Sequence, residues 1–300
     1  MEEEITPARI ANAICQDTTY EGYYVLVEGK KDVRIYRRFT SDVSAKVKAT
    51  FGKSKLREVY RILTERNFVR KIGIRDADFL RIKGNPKYTA EFTDPIFVTD
   101  GHDSEIMMVA TGVINNFFLM VTDEAKVAVF EEKHNKKVVD MIFSLIRPLG
   151  NLRLANKRFG LGLAFKPERP EGNALRIDRF VNSKSWGYNG DESMVNTVIE
   201  YSKNRGSVVA SRAVVLEKLR EISMEEHPNN EICNGHDFAY VLHLISKQGI
   251  GSKSKLLQDS ACVEDLLISQ FDWIKFSGTQ LFARINQWQN IEEKVIFEAR

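Results

Sequence analysis

Apolar and polar positions along the first third of the chain switch between two periods. Tyr23-Tyr24-Val25-Leu26-Val27 is a compact apolar run that stops at Glu28-Gly29, the pattern of a strand buried on both faces and ended by a turn. From Lys31 to Phe39 the apolar residues Val33, Tyr36 and Phe39 fall at helical spacing. Ala45 to Phe51 alternates like a strand and Gly52 breaks it, while Leu56, Val59, Tyr60 and Leu63 mark one face of a helix over 55–65. A third apolar run from Val69 to Ile74 ends in Arg75-Asp76-Ala77-Asp78; a loop with Gly84, Asn85 and Pro86 and a strand Pro95 to Thr99 follow. Asp103 or Ser104 is placed to cap a helix that starts near Glu105. Ahead of all this, Thr6-Pro7 reads as an N-cap with proline at the first helical position.

The order β-α-β-α-β-β-α predicts an α/β domain, with helices covering a mostly parallel sheet. Beyond about Thr122 helical periods dominate: 126–146, 192–201, 211–224, 237–245, 263–273 and 279–297, with an irregular basic stretch from Arg147 to Arg179 between them. The expected organisation is therefore an α/β domain over 1–122, with its core at 23–108, and a mainly helical region over 123–300.

Composition narrows the class. At 300 residues, 43% apolar and 28% charged, the chain can bury one large core or two ordinary ones. Its acidic start, Met1-Glu2-Glu3-Glu4, does not read as a signal peptide. The longest apolar stretch, Met107 to Val121, is interrupted by Thr111-Gly112 and Asn115-Asn116, so no membrane segment is expected. Cys15, Cys233 and Cys262 are odd in number and scattered; they suggest neither a disulfide framework nor a zinc half-site, and point to a cytoplasmic protein. The net charge of +3 is uneven. Residues 30–87 hold 18 Lys or Arg against 6 Asp or Glu, a surplus of 12. That basic third is a pointer to a polyanionic partner such as nucleic acid, or else to solvated outer faces of helices.

The chemistry sits at strand ends. Glu28 closes the first strand, Asp76 and Asp78 the third, and Glu105 follows the fourth; open parallel sheets bind ligands outside these carboxyl ends. In an extended chain residues i and i+2 share a side, so Asp76 and Asp78 are expected to face one cation together while Ala77 turns away. Carboxylates crowded without a cation repel and raise one another's pKa, whereas Mg²⁺, a hard ion that prefers oxygen ligands, would relieve them. Asp32, one helical turn after Glu28, either shares that site or is a first-turn acid favoured by the helix dipole.

Val27-Glu28-Gly29-Lys30-Lys31-Asp32, followed after a second apolar strand by Ile74-Arg75-Asp76-Ala77-Asp78-Phe79, resembles the TOPRIM signature of topoisomerases, bacterial primases and OLD-family nucleases over roughly 23–108. It is most similar to a branch of bacterial TOPRIM proteins of about this length, often encoded beside an ABC-type ATPase, that includes the effectors of PARIS anti-phage systems. Thr99-Asp100-Gly101-His102-Asp103-Ser104-Glu105 matches that branch's acid before a helix, and Asn234-Gly235-His236-Asp237-Phe238 its later Gly-[Lys/His]-Asp element. The resemblance implies Glu28 as general acid/base or metal ligand. It implies Asp76 and Asp78 as ligands of Mg²⁺ (Mn²⁺ possible), with Asp32 and Glu105 completing a first or second metal site. It further implies an endonuclease acting on tRNA rather than DNA, held inactive by its ATPase partner and released by a phage trigger; the long helical region is expected to supply a homodimer interface, a partner-docking surface, or both. The rival readings are a DNA nuclease of OLD-like type and a non-catalytic regulatory subunit.

Other residues join the expectation. Lys30, Lys31, Arg34 and Arg75 are placed to receive phosphates. Lys157 and Arg158 belong to a stretch that mixes cations with Phe159 and Phe165, as single-stranded nucleic-acid surfaces do. His236 either supplies a proton or phosphate contact or forms a helix cap with Asp237. Gly52-Lys53-Ser54 is not a P-loop, because Val47 stands where that motif needs glycine.

Overall fold

A computed structural model describes residues 5–82, 95–167, 172–205 and 208–299; the Gly84-Asn85-Pro86 loop lies outside them. The elements run α1 (Pro7–Gln16), β1 (Tyr23–Val27), α2 (Lys30–Tyr36), β2 (Ala45–Ala49), α3 (Lys53–Glu65), β3 (Lys71–Arg75), β4 (Ile96–Val98) and α4 (Ser104–Ala110). Then come α5 (Val113–Val121), α6 (Glu124–His134), α7 (Val138–Phe159), β5 (Val181–Asn182), β6 (Gly187–Tyr188), α8 (Asp191–Lys203), α9 (Arg212–Ser223) and α10 (Asn229–Ile232). The chain closes with α11 (Gly235–Leu244), α12 (Ser260–Gln270), α13 (Trp273–Ser277) and α14 (Gln280–Ile291). Among the described residues no single helix is long and apolar enough to cross a membrane.

The first four strands form one parallel sheet in the order β2-β1-β3-β4. The protein is thus α/β, as the strand and helix periods predict. Val25 pairs with Val47 on one side and Ile72 on the other, so β1 is an inner strand, and an inner parallel strand must be apolar on both faces. Tyr24 and Leu26 point into a core made with Ile10 and Ile14 of α1 and Leu56, Val59 and Leu63 of α3. Strand alternation sends Tyr23, Val25 and Val27 to the opposite face.

That opposite face decides the domain organisation. The chain divides into two compact units, 1–111 with 268–300, and 112–267. The expected single break near Thr122 is replaced by breaks at Thr111 and Ile268, and the last 33 residues belong with the sheet. The cause is apolar coverage. α1 and α3 cover one face, and α2 covers only part of the other, which would leave the rest of that face of the sheet bare. Trp288 of α14 packs edge-on against Tyr23 and Phe97, with ring centroids 5.8 and 6.4 Å apart. Phe276 of α13 stacks on Phe39 at 4.5 Å and 8° and also meets Tyr36, Phe271, Phe282 and Phe297.

The second unit is mainly helical. The helix expected over 126–146 is two, because Asn135 takes a left-handed φ of 46° and ends α6. The stretch from Arg147, expected to be irregular, instead continues α7 to Phe159 through Pro148. Its buried face, Met141, Leu145, Leu149 and Leu152, keeps helical spacing across the proline, so burial outweighs the lost backbone hydrogen bond.

The aromatic cluster carries a prediction. Phe276→Ala should cost about 3–5 kcal/mol of unfolding free energy, read by denaturant titration. Ile274→Ala, two residues away at a side chain 79% exposed, should stay within about 0.5 kcal/mol. Equal effects would show that the 268–300 segment is not part of the core.

Candidate metal centre

The register that pairs Val27 with Ile74 brings the ends of β1 and β3 to one edge of the sheet, and α4 starts there. Asp76 donates its backbone N–H to Glu28 Oε1 at 3.2 Å. Asp76 Oδ1 accepts from the backbone N–H of Ser104 at 3.0 Å and lies 3.3 Å from its hydroxyl. The same hydroxyl is 3.2 Å from Asp32 Oδ1, and the other Asp32 oxygen accepts from Gly29 N–H at 2.8 Å, capping α2. Glu28, Asp32 and Asp76 are thus tied together by short polar contacts. Ser104 has one hydroxyl proton for two carboxylates, so a further proton or a cation must satisfy the pair.

Electrostatics say the same. Burial pushes Glu28 up to about 7, and the charge of Asp78 adds to it. Burial also raises Asp32 to about 6, with Glu105 pushing further against the lowering contact from Gly29 N–H. Asp76 is held well above the ordinary carboxylate range by burial first and then by Asp32, Asp103, Glu105 and Glu28. Three neighbouring acids that resist ionisation form an oxygen-only donor set with a deficit of positive charge, which suits a hard divalent cation.

Two further acids of the edge already have cations. Lys31 Nζ lies 2.8 Å from Glu105 Oε1, with the glutamate side chain only 6% exposed. Lys53, at the start of α3, pairs with Asp78. β3 ends at Arg75 and Asp78 has a left-handed φ of 46°, so strand alternation does not extend across the pair. Asp76 turns to Ser104 and Asp78 to Lys53, while Glu28 senses the charge of both Asp78 and Asp32.

Of the expected phosphate-binding residues, Lys30 and Arg34 are exposed on α2, and Lys31 is engaged by Glu105. Arg75 is buried at 3% exposure because it closes an inner strand. Its Nε donates to Asp76 O at 3.2 Å and its Nη1 has no hydrogen-bond partner among the described residues. In the 112–267 unit, Lys157 and Arg158 end α7; Lys157 is exposed and Arg158 pairs with Glu225. His236 Nδ1 lies 2.6 Å from Glu264 Oε1. His236 and Asp237 do not cap α11: the cap is Asn234, whose side chain accepts from His236 N–H, and Asp237 is bound twice by Arg153.

No family model matches the chain, and no curated protein does. Its chemistry therefore rests on these side chains. Two of them, Lys53 and Ser104, escape a motif reading. Lys53 could have been found from its position, since it follows β2 at the carboxyl edge where the acids gather.

The raised pKa of Glu28 fixes the sign of a pH effect. Its folded value of about 7 stands above the unfolded value near 4.5. Its contribution to stability is therefore intact below the unfolded value and lost as pH rises through the folded one. Glu28→Gln should gain on wild type between about pH 5 and pH 8, by on the order of 2 kcal/mol after allowance for partial exposure. Millimolar Mg²⁺ should narrow that gap by stabilising the wild type. Melting curves that run parallel across this range, with and without Mg²⁺, would contradict the buried-charge reading.

Proposed function

We propose that the chain is a Mg²⁺-dependent endonuclease of TOPRIM type that acts as the toxic effector of an anti-phage system. The observation that carries this is the joining of Glu28, Asp32 and Asp76 at the carboxyl edge of a parallel sheet, each held toward its protonated form. Mg²⁺ or Mn²⁺ would be held by these three. Asp78 and Glu105 would join only when Lys53 and Lys31 release them. A cation so bound supplies positive charge to a scissile phosphate. Glu28 would serve either as one of these ligands or, left uncoordinated, as the group that takes a proton from the attacking group or returns one to the leaving oxygen. Lys53, once displaced from Asp78, would become a phosphate-binding cation, and Lys30 and Arg34 are exposed for flanking phosphates.

The choice of tRNA as substrate and of an ABC-type ATPase as restraining partner follows the resemblance to AriB, the effector subunit of PARIS systems. A cytoplasmic site of action belongs to the same reading. The 112–267 unit is then the surface for partner docking or dimerisation.

The two lysine pairs favour a second reading, a regulatory subunit whose acids are neutralised internally and never bind metal. One experiment separates the two. Purified protein incubated with tRNA or duplex DNA and Mg²⁺ or Mn²⁺ should cleave the RNA, and Glu28→Ala should slow cleavage by on the order of 10²–10⁴. Cleavage of DNA alone would move the assignment to an OLD-like DNA nuclease. No cleavage under any trigger, with ATPase binding indifferent to EDTA, would establish the regulatory reading.

A further inference from the structure

A second concave site lies within the 112–267 unit. It is a cleft of about 710 Å³ between α6, the β5–β6 turn and the end of the turn after α11, within the ~300–1,000 Å³ usual for small-ligand sites. On α6 the residues Lys126, Val129, Phe130, Lys133 and His134 follow helical spacing and all face it. Phe130 and His134 have ring centroids 4.7 Å apart, and Trp186 comes within 6.0 Å of Phe130.

The wall is held in place by unusual backbone. Trp186 has a φ of 52°, an uncommon conformation for a bulky side chain. Its N–H donates to Asn182 O at 2.7 Å, and the Asn182 side chain accepts from Lys184 N–H at 2.9 Å. The opposite side is a turn of π-helix, Ile245–Gly249, an insertion that recurs at functional sites. It brings Gly249 so close that a Cβ there would stand 2.6 Å from Phe130 Cε2 and 2.9 Å from Trp186 Cζ2.

Charge around the cleft has one sign. Lys126, Lys133 and Lys184 line it and are exposed; their ammonium groups make no ion pair or hydrogen bond among the described residues, and no acidic side chain lines the cleft. Cations beside aromatic rings suit a ligand with a flat π-system and an anionic group.

We propose that this cleft binds a nucleotide, with the base against His134 and Val129 on a floor formed by the buried Phe130 and Trp186, and the phosphate on the three lysines. The ligand is either a free mononucleotide or one unit of a single strand. The proposal stands apart from the acidic sheet edge and does not depend on the nuclease reading.

The test is calorimetric titration of the full chain, without metal, by adenosine 5′-monophosphate, a single-stranded RNA hexamer, adenosine and inorganic phosphate. Saturable binding of the mononucleotide or hexamer, at least about tenfold tighter than adenosine or phosphate alone, is expected. The tighter of the first two identifies the source. Lys133→Glu with Lys184→Glu, and separately Val129→Trp at a side chain 64% exposed, should each weaken it about tenfold with unchanged melting temperature. Both variants binding as wild type would overturn the proposal. So would phosphate or adenosine binding as tightly as the nucleotide, or no binding of either nucleotide form at millimolar concentration.

Discussion

Removing a carboxylate from water costs more than one neutral hydrogen bond returns, and the sheet edge does this several times over. Two acids there, Glu105 and Asp78, are balanced by Lys31 and Lys53. Three others, Glu28, Asp32 and Asp76, share backbone amides and a single serine hydroxyl, and their burial holds them toward the protonated state. This division separates acids whose charge is already met from acids that still require a proton or a cation. Such a site is least comfortable when empty and ionised, which is the condition under which a divalent ion gains most from entering.

The fold makes that discomfort tolerable by fixing its parts from both sides. β1 and β3 are inner strands, and the ends that carry Glu28 and Asp76 cannot separate without breaking the parallel ladder. One face of the sheet is closed by α1 and α3. The other is closed by α2 together with residues that the chain supplies only after a 156-residue excursion through the helical unit. The stacked Phe39–Phe276 pair and the Trp288 contacts are therefore part of what holds the acids together.

How much of this was legible in the residues depends on range. Inner strands announce themselves, since five consecutive apolar residues before Glu28 need only local periodicity to be read. The acids at strand ends follow from the same reading. The direction of Asp78 is not legible in the residues, because β3 ends at Arg75 and Asp78 has a positive φ, which no side-chain pattern reveals. The return of 268–300 to the sheet was missed because α14 is only modestly amphipathic and its partner surface lies some 260 residues upstream. Lys53 is legible only by position: it follows β2 at the carboxyl edge where it pairs with Asp78, and no motif marks it.

Lys53 and Lys31 also bear on how strongly the edge can hold a metal. An incoming cation does not meet five unopposed carboxylates; it must compete with two ammonium groups for Asp78 and Glu105. Displacing each lysine returns part of the Coulomb gain, so affinity would be lower than the count of acids suggests and would depend on whether something else receives the released lysines. A phosphate is the ligand that can do this, because it offers anionic oxygens to the lysines and the metal alike. On the proposed nuclease reading, metal and phosphate would then favour each other's binding at this edge.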